Sequence, residues 1–187
     1  MNKRGEKPLD LRRESLLPQE EMLAVETRKQ EMVIGIPKED PEKESRVPLT
    51  PEAVEILTWH GHRVVLESGA GEAANYPDNH YAESGAWITE SREEVFQSDV
   101  VLKITPPALK EIAMMKERLT LISTFQIQIH KEKTYIERLM AKRITAVSMD
   151  RIRDENHCYP MIRSMSGIAG NTAVLIAGEY LSNVRGG

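Results

Sequence analysis

Five short apolar runs, separated by segments of helix length with turn residues at their ends, constrain this chain more than any other feature. The runs are Met32–Ile36, His62–Glu67, Val100–Ile104, Leu119–Phe125 and Ile144–Ser148. Continuous apolar strands of this kind are expected where helices cover both faces of a parallel sheet. The intervening segments carry helix signals. Thr50 caps a helix with Pro51 and Glu52 in its first turn, and Gly61 ends it. Asp78 is placed to cap a short helix that Gly85 closes, and Ser91-Arg-Glu-Glu94 has the form of a capping box. Pro106-Pro107 breaks the third strand before a helix carrying Ile112 and Met115, and a further helix lies around Tyr135 to Ala141. The alternation predicts an α/β fold with a doubly wound parallel sheet.

The segment Met165–Leu181 departs from this rhythm. Ile168, Val174, Leu175, Ile176, Tyr180 and Leu181 fall on nearly every side of a helix there. A helix without a polar face normally lies between two layers of protein. Only one layer precedes it in the sequence, so the chain reads as half of a two-domain molecule. On that reading Leu175, Ile176 and their neighbours form an apolar patch through which the chain self-associates. Residues 1–31 read as a charged N-terminal extension, residues 32–163 as the folded domain, and residues 164–187 as a helix linking to a further domain. The extension fits a loosely held surface arm, and a docking role is the alternative.

Composition narrows the class. A length of 187 residues supports one core of ordinary size. The net charge of −4, with no element concentrating Lys and Arg, argues against a nucleic-acid surface. Cys158 is the single cysteine, which excludes an internal disulfide and a multi-cysteine zinc site. No segment approaches the ~20 apolar residues of a membrane helix. The early Lys3 and Arg4 have no apolar run behind them, so no secretory signal is expected and the chain is placed in the cytoplasm.

Several blocks in register resemble the N-terminal domain shared by alanine dehydrogenase and the alpha subunit of nicotinamide nucleotide transhydrogenase. They are Val33-Ile-Gly-Ile-Pro-Lys-Glu39, Arg46-Val-Pro-Leu-Thr-Pro-Glu52, Gly61-His62, Glu67-Ser-Gly-Ala-Gly71, Leu102-Lys103, Met165-Ser166 and Ala169-Gly170. The resemblance implies that Arg46 grips a substrate carboxylate, for which a guanidinium offers two parallel hydrogen bonds. On chemistry alone, a surface or strand-end ion pair with one of the nearby glutamates is the favoured role for Arg46, and the resemblance reverses that preference. The resemblance also implies that Ser166 lies near the cofactor, although a serine there can equally cap the terminal helix. Two departures stand out. The dehydrogenases carry a catalytic lysine where this chain has Thr105, and a catalytic histidine where it has Ile127 in Thr124-Phe125-Gln-Ile-Gln-Ile129. Threonine and glutamine hydrogen-bond but exchange no proton near neutral pH. No catalytic residue is therefore assigned, and His130 lies several residues away from the expected place.

Weaker signals resolve blandly. Gly69-Ala-Gly71 lacks a third glycine and a helix directly after it, so it reads as a turn leaving a strand. His60-Gly-His62 has no third ligand nearby, and its glycine reads as a helix stop; no metal site is assigned. Cys158 beside His157 sits in a polar connection and reads as an exposed-turn cysteine.

The expected fold is thus a flavodoxin-like doubly wound parallel sheet with a long C-terminal linking helix. The expected role, by resemblance, is the substrate-side domain or fragment of an oxidoreductase that moves hydride with NAD or NADP. The Gly-x-Gly-x-x-Gly fingerprint is missing, so this chain alone is expected to bind no cofactor and to be inactive. Its expected partners are a nucleotide-binding domain or subunit, further copies of itself in a homo-oligomer, and a small carboxylate. A non-catalytic carboxylate-binding or partner-binding module is the alternative.

Overall fold

The computed structural model describes residues 31–125 and 133–182. Six parallel strands form one sheet: β1 (Val33–Ile36), β2 (Arg63–Glu67), β3 (Trp87–Thr89), β4 (Val100–Leu102), β5 (Thr120–Ser123) and β6 (Thr145–Ser148). Helices α1 (Pro51–Trp59), α2 (Asp78–Glu83), α3 (Arg92–Phe96), α4 (Leu109–Met114) and α5 (Lys133–Ala141) connect them, and α6 (Pro160–Leu181) follows. Strand β3 was not expected, because three residues are too few to establish a period. The order is β3-β2-β1-β4-β5-β6. Without β3, the five expected strands run in the flavodoxin-like order, 2-1-3-4-5 when counted along the chain. The extra strand lengthens one edge.

Register explains the two cores. Partners across a parallel ladder point to the same side, and Gly35 pairs with Val101 while Ile34 pairs with Val100. Ile34, Ile36, Val64 and Leu66 pack with Val54 of α1 and Tyr81 of α2. On the opposite side Val101 and Leu121 pack with Phe96, Ile112, Tyr135 and Leu139 from the helices α3, α4 and α5. Helices on both faces of a parallel sheet account for the apolar strands that the sequence displays.

Local chemistry sets the helix ends, with two differences from expectation. The Thr50 side chain accepts from the Ala53 N–H, as a cap should. Asp78 does not cap α2, whose N-cap is Pro77; its carboxylate instead accepts from the Ser68 hydroxyl at 2.8 Å and the Gly69 N–H at 2.9 Å. The Ser91 box is half made. Ser91 Oγ accepts from the Glu94 N–H at 3.3 Å, but the Glu94 carboxylate takes the Thr89 hydroxyl at 2.6 Å in place of the Ser91 N–H.

Helix α6 begins at Pro160, four residues before the expected boundary, and none of its residues is buried. Val174 and Leu175 are each 73% exposed and Leu181 is 78% exposed. Among the described residues, no helix is long and apolar enough to cross a membrane.

Candidate functional site

The sheet reverses its winding between β1 and β4. In an open parallel sheet, the crevice outside the carboxyl ends of the strands at this switch point is where ligands bind. Two segments leave the sheet there, Pro37–Asp40 after β1 and Lys103–Thr105 after β4. Glu39 joins them. Its Oε1 accepts from the N–H groups of Ile104 at 2.6 Å and Thr105 at 3.1 Å, and its Oε2 accepts from the Lys103 ammonium and the Thr105 hydroxyl, each at 2.5 Å. The Lys103 ammonium also donates to Thr105 Oγ1 at 2.7 Å. The Glu39 and Lys103 side chains are only 4% and 5% exposed. A buried charge persists only when paired and hydrogen-bonded, and this pair meets both conditions.

Strand β5 holds the same segment from its other side. Ser123 Oγ donates to the Thr105 carbonyl at 2.9 Å, and Thr124 donates to the Ile104 carbonyl from both its N–H, at 3.1 Å, and its hydroxyl, at 2.5 Å. Phe125 packs against the core below. A cleft of about 630 Å³ opens above, bordered by Lys38, Glu39, Glu67, Arg92, Lys103 and Thr105.

Arg46 stands beside a second cavity of about 300 Å³, which shares Lys38, Glu39 and Pro41 with the first. Glu44 grips its guanidinium side-on: Nε donates to Oε1 at 2.7 Å and Nη2 to Oε2 at 2.5 Å. That hydrogen bond holds the Glu44 carboxyl below the usual carboxylate range and raises the Arg46 pKa. A guanidinium has five N–H donors. The side-on pair consumes the Nε/Nη2 edge and leaves the Nη1/Nη2 edge, where Met165 Sδ of α6 lies 3.4 Å from Nη1. Thioether sulfur is a weak acceptor, so a carboxylate is the better partner for that edge.

The sequence-derived residues divide accordingly. Arg46 and Thr105 border neighbouring cavities joined through Glu39. Ser166 lies within α6 and is exposed; Tyr159 occupies the N-cap, so Ser166 does not cap the helix. Ile127 and His130 lie outside the described residues. His60 Nδ1 meets the Ile56 carbonyl and His62 Nδ1 meets the Met32 N–H, so the two rings serve different backbone groups. The Cys158 N–H is tied to Asp154 Oδ1 at 2.8 Å in a turn, and the residue is half-buried. The ion pair with a nearby glutamate that the sequence allows for Arg46 is made by Glu44. Sequence reasoning missed Glu39 and Arg92 as organisers; the signal for Glu39 was its position after a strand end.

The fit of a dinucleotide can be tested at Gly69-Ala-Gly71. A pyrophosphate requires free N–H groups converging at a helix N-terminus. Here Gly69, at φ 74°, has its N–H occupied by Asp78. A side chain on Gly71 would meet Tyr81 Cε2 at 2.5 Å, and only a 3-10 turn, Glu72–Ala74, follows. Glu67 and Glu72 flank the turn with negative charge. These residues do not fit a pyrophosphate site.

Comparison with known proteins gives one consistent picture. Residues 35–169 match the family described as alanine dehydrogenase/PNT, N-terminal domain. The chain is 31% identical over 156 residues to alanine dehydrogenase of Staphylococcus saprophyticus, covering 83% of this chain and 42% of that protein. It is also 31% identical over 156 residues to alanine dehydrogenase of Bacillus subtilis, covering 83% of this chain and 40% of that protein. The chain thus spans about two fifths of the length of these curated relatives. A solved L-alanine dehydrogenase superposes with a TM-score of 0.76 at 30% identity, over 83% of this chain and 43% of that one. A transhydrogenase from Sinorhizobium meliloti follows with a TM-score of 0.60 at 26% identity, over 66% of this chain and 37% of that one. The chain belongs to the family of N-terminal domains of alanine dehydrogenases and PNT proteins.

Proposed function

We propose that this chain is the substrate-side part of a cytoplasmic oxidoreductase that uses NAD or NADP, and that Arg46 holds the carboxylate of a small substrate. The observation that carries the reading is the Nη1/Nη2 edge of Arg46, which stands beside a cavity and, among the described residues, meets the weakly accepting thioether of Met165. Glu44 supports the role by fixing the guanidinium plane from its other edge. The nicotinamide belongs to a nucleotide-binding domain or subunit, against which Ser166 and α6 are proposed to lie. The single cysteine suits the reducing cytoplasm. The residues 1–31, 32–163 and 164–187 serve as extension, substrate domain and linking helix in this reading, within a homo-oligomer.

The same geometry argues against efficient oxidation of alanine. That reaction needs a base to take protons and a cation to stabilise charge on the substrate. Thr105 replaces the lysine found in the dehydrogenases, and its hydroxyl is committed to Glu39. The neighbouring Lys103 is neutralised by Glu39. General acid–base help is typically worth ~10²–10⁴-fold in rate. A chimera with a related nucleotide domain tests the proposal. It should bind a 2-oxo carboxylate but turn alanine over poorly, and Thr105→Lys with Ile127→His should restore turnover. Equal turnover with and without these changes would refute the reading. A carboxylate-binding module without catalytic partner is the second reading, favoured by the same committed Thr105 and Lys103; absence of a Gly-x-Gly-x-x-Gly unit from the reading frame directly downstream would support it.

A further inference from the structure

We infer that Arg92 is a positioning residue that sets the Glu39–Lys103 pair at the floor of the cleft. The inference rests on reading that cleft as the substrate side. Arg92 is the first residue of α3, yet its guanidinium reaches two other elements and the segment after β1. Nε donates to Glu67 Oε2 at 3.0 Å, at the end of β2. Nη1 pairs with Glu111 Oε1 of α4 at 3.4 Å. Nη2 donates to the carbonyl of Lys38, just after β1.

The Lys38 contact decides the role. The Lys38 N–H donates to the same Glu67 Oε2 at 2.8 Å. The peptide units on both sides of Lys38 are thereby held by one Arg92–Glu67 pair. Lys38 immediately precedes Glu39, whose carboxylate gathers the Lys103 ammonium, the Thr105 hydroxyl and two backbone N–H groups. Glu111 extends the brace, because its Oε2 accepts from the Ala108 N–H at 2.7 Å and fixes the start of α4 beside the cleft.

A simple surface ion pair would not explain this arrangement. Exposed pairs contribute little, and a bond to an uncharged carbonyl neutralises nothing. Charge alone would be served by lysine. One planar group that spans two carboxylates and a carbonyl in three directions requires the guanidinium. Arg92, which also borders the cleft, thus transmits the position of β2 to the residue that fixes Lys103.

The experiment uses the full chain with lysine side chains labelled in 13C and 15N. The Lys103 signal is assigned through Lys103→Arg, and pyruvate is the probe for binding. In Arg92→Lys and Arg92→Ala the Lys103 ammonium signal should move and its protons should exchange faster with water. Pyruvate binding should weaken by about tenfold, or ~1.4 kcal/mol. Glu111→Gln, which keeps the Lys38 contact, should leave the Lys103 signal in place. A Lys103 signal unchanged in Arg92→Lys would overturn the inference, even if thermal stability falls. Should Arg92→Ala lose its fold, Arg92→Lys alone decides. Failure of the unmodified chain to bind pyruvate would count against the proposed function, while the Lys103 signal would still decide the role of Arg92.

Discussion

The Lys103 ammonium lies 2.5 Å from Glu39 Oε2, with both side chains almost wholly buried where the sheet reverses its winding. Each charge is largely neutralised by the other. Removing one partner strands the other, which typically costs about 3–5 kcal/mol. Lys103→Met should lower unfolding free energy by that amount, and Lys103→Met with Glu39→Gln should recover most of it. Urea titration checks both. A single variant as stable as the parent would show that the pair is solvated.

The response to pH has a sign at each end. Burial pushes the Tyr81 phenol up to about 12, with its hydroxyl donating to the Leu49 carbonyl at 2.8 Å. An unfolded tyrosine ionises near 10, so between about 10 and 12 the unfolded state loses the proton first. Stability should fall through that range, and Tyr81→Phe should weaken the dependence. At the acid end, the Lys116 ammonium and the Val33 N–H hold Asp99 below its usual value. That contribution is present above the ordinary aspartate range and is lost as pH falls below it. Melting temperatures across pH should show a shallower acid limb in Asp99→Asn.

The Gly69-Ala-Gly71 turn does not cradle a pyrophosphate, because Asp78 occupies the Gly69 N–H and Glu67 and Glu72 flank the turn. The chain by itself should therefore not bind NADH usefully. Fluorescence or calorimetric titration should return a dissociation constant weaker than about 100 μM, or roughly −5.5 kcal/mol. Tighter binding would reveal a nucleotide site that these glycines do not form.

Helix α6 displays Ile168, Val174, Leu175 and Leu181 to solvent along its length. Exposed apolar side chains of this kind favour association. Light scattering should show self-association that rises with concentration and is relieved by Leu175→Glu with Ile176→Lys. A clean monomer at high concentration would contradict this expectation.

The strands and most helices were legible because burial on two faces leaves an unmistakable apolar pattern. β3 was not, since Trp87-Ile-Thr89 is too short to show a period and Trp87 is 55% exposed. Asp78 illustrates a different limit. Its place before a helix suggested a cap, but a carboxylate can serve a neighbouring turn equally well, and tertiary proximity to Ser68 and Gly69 decided. At the site, Arg46 and Thr105 were visible through resemblance. Glu39 and Arg92 were not, because their roles depend on strand order: β1 and β4 are adjacent in the sheet but far apart in sequence.

The central claim concerns the open edge of Arg46, and one titration addresses it directly. Charged hydrogen bonds are worth about 1.5–3 kcal/mol, so losing the guanidinium should weaken carboxylate binding by roughly 10- to 100-fold. Pyruvate added to the 15N-labelled chain should shift the signals of Arg46, Lys38 and Glu39, and Arg46→Ala should abolish the response at the same concentrations. Arg46→Lys should rescue little, because an ammonium cannot pair two oxygens in one plane. An unchanged pyruvate response in Arg46→Ala would contradict the account.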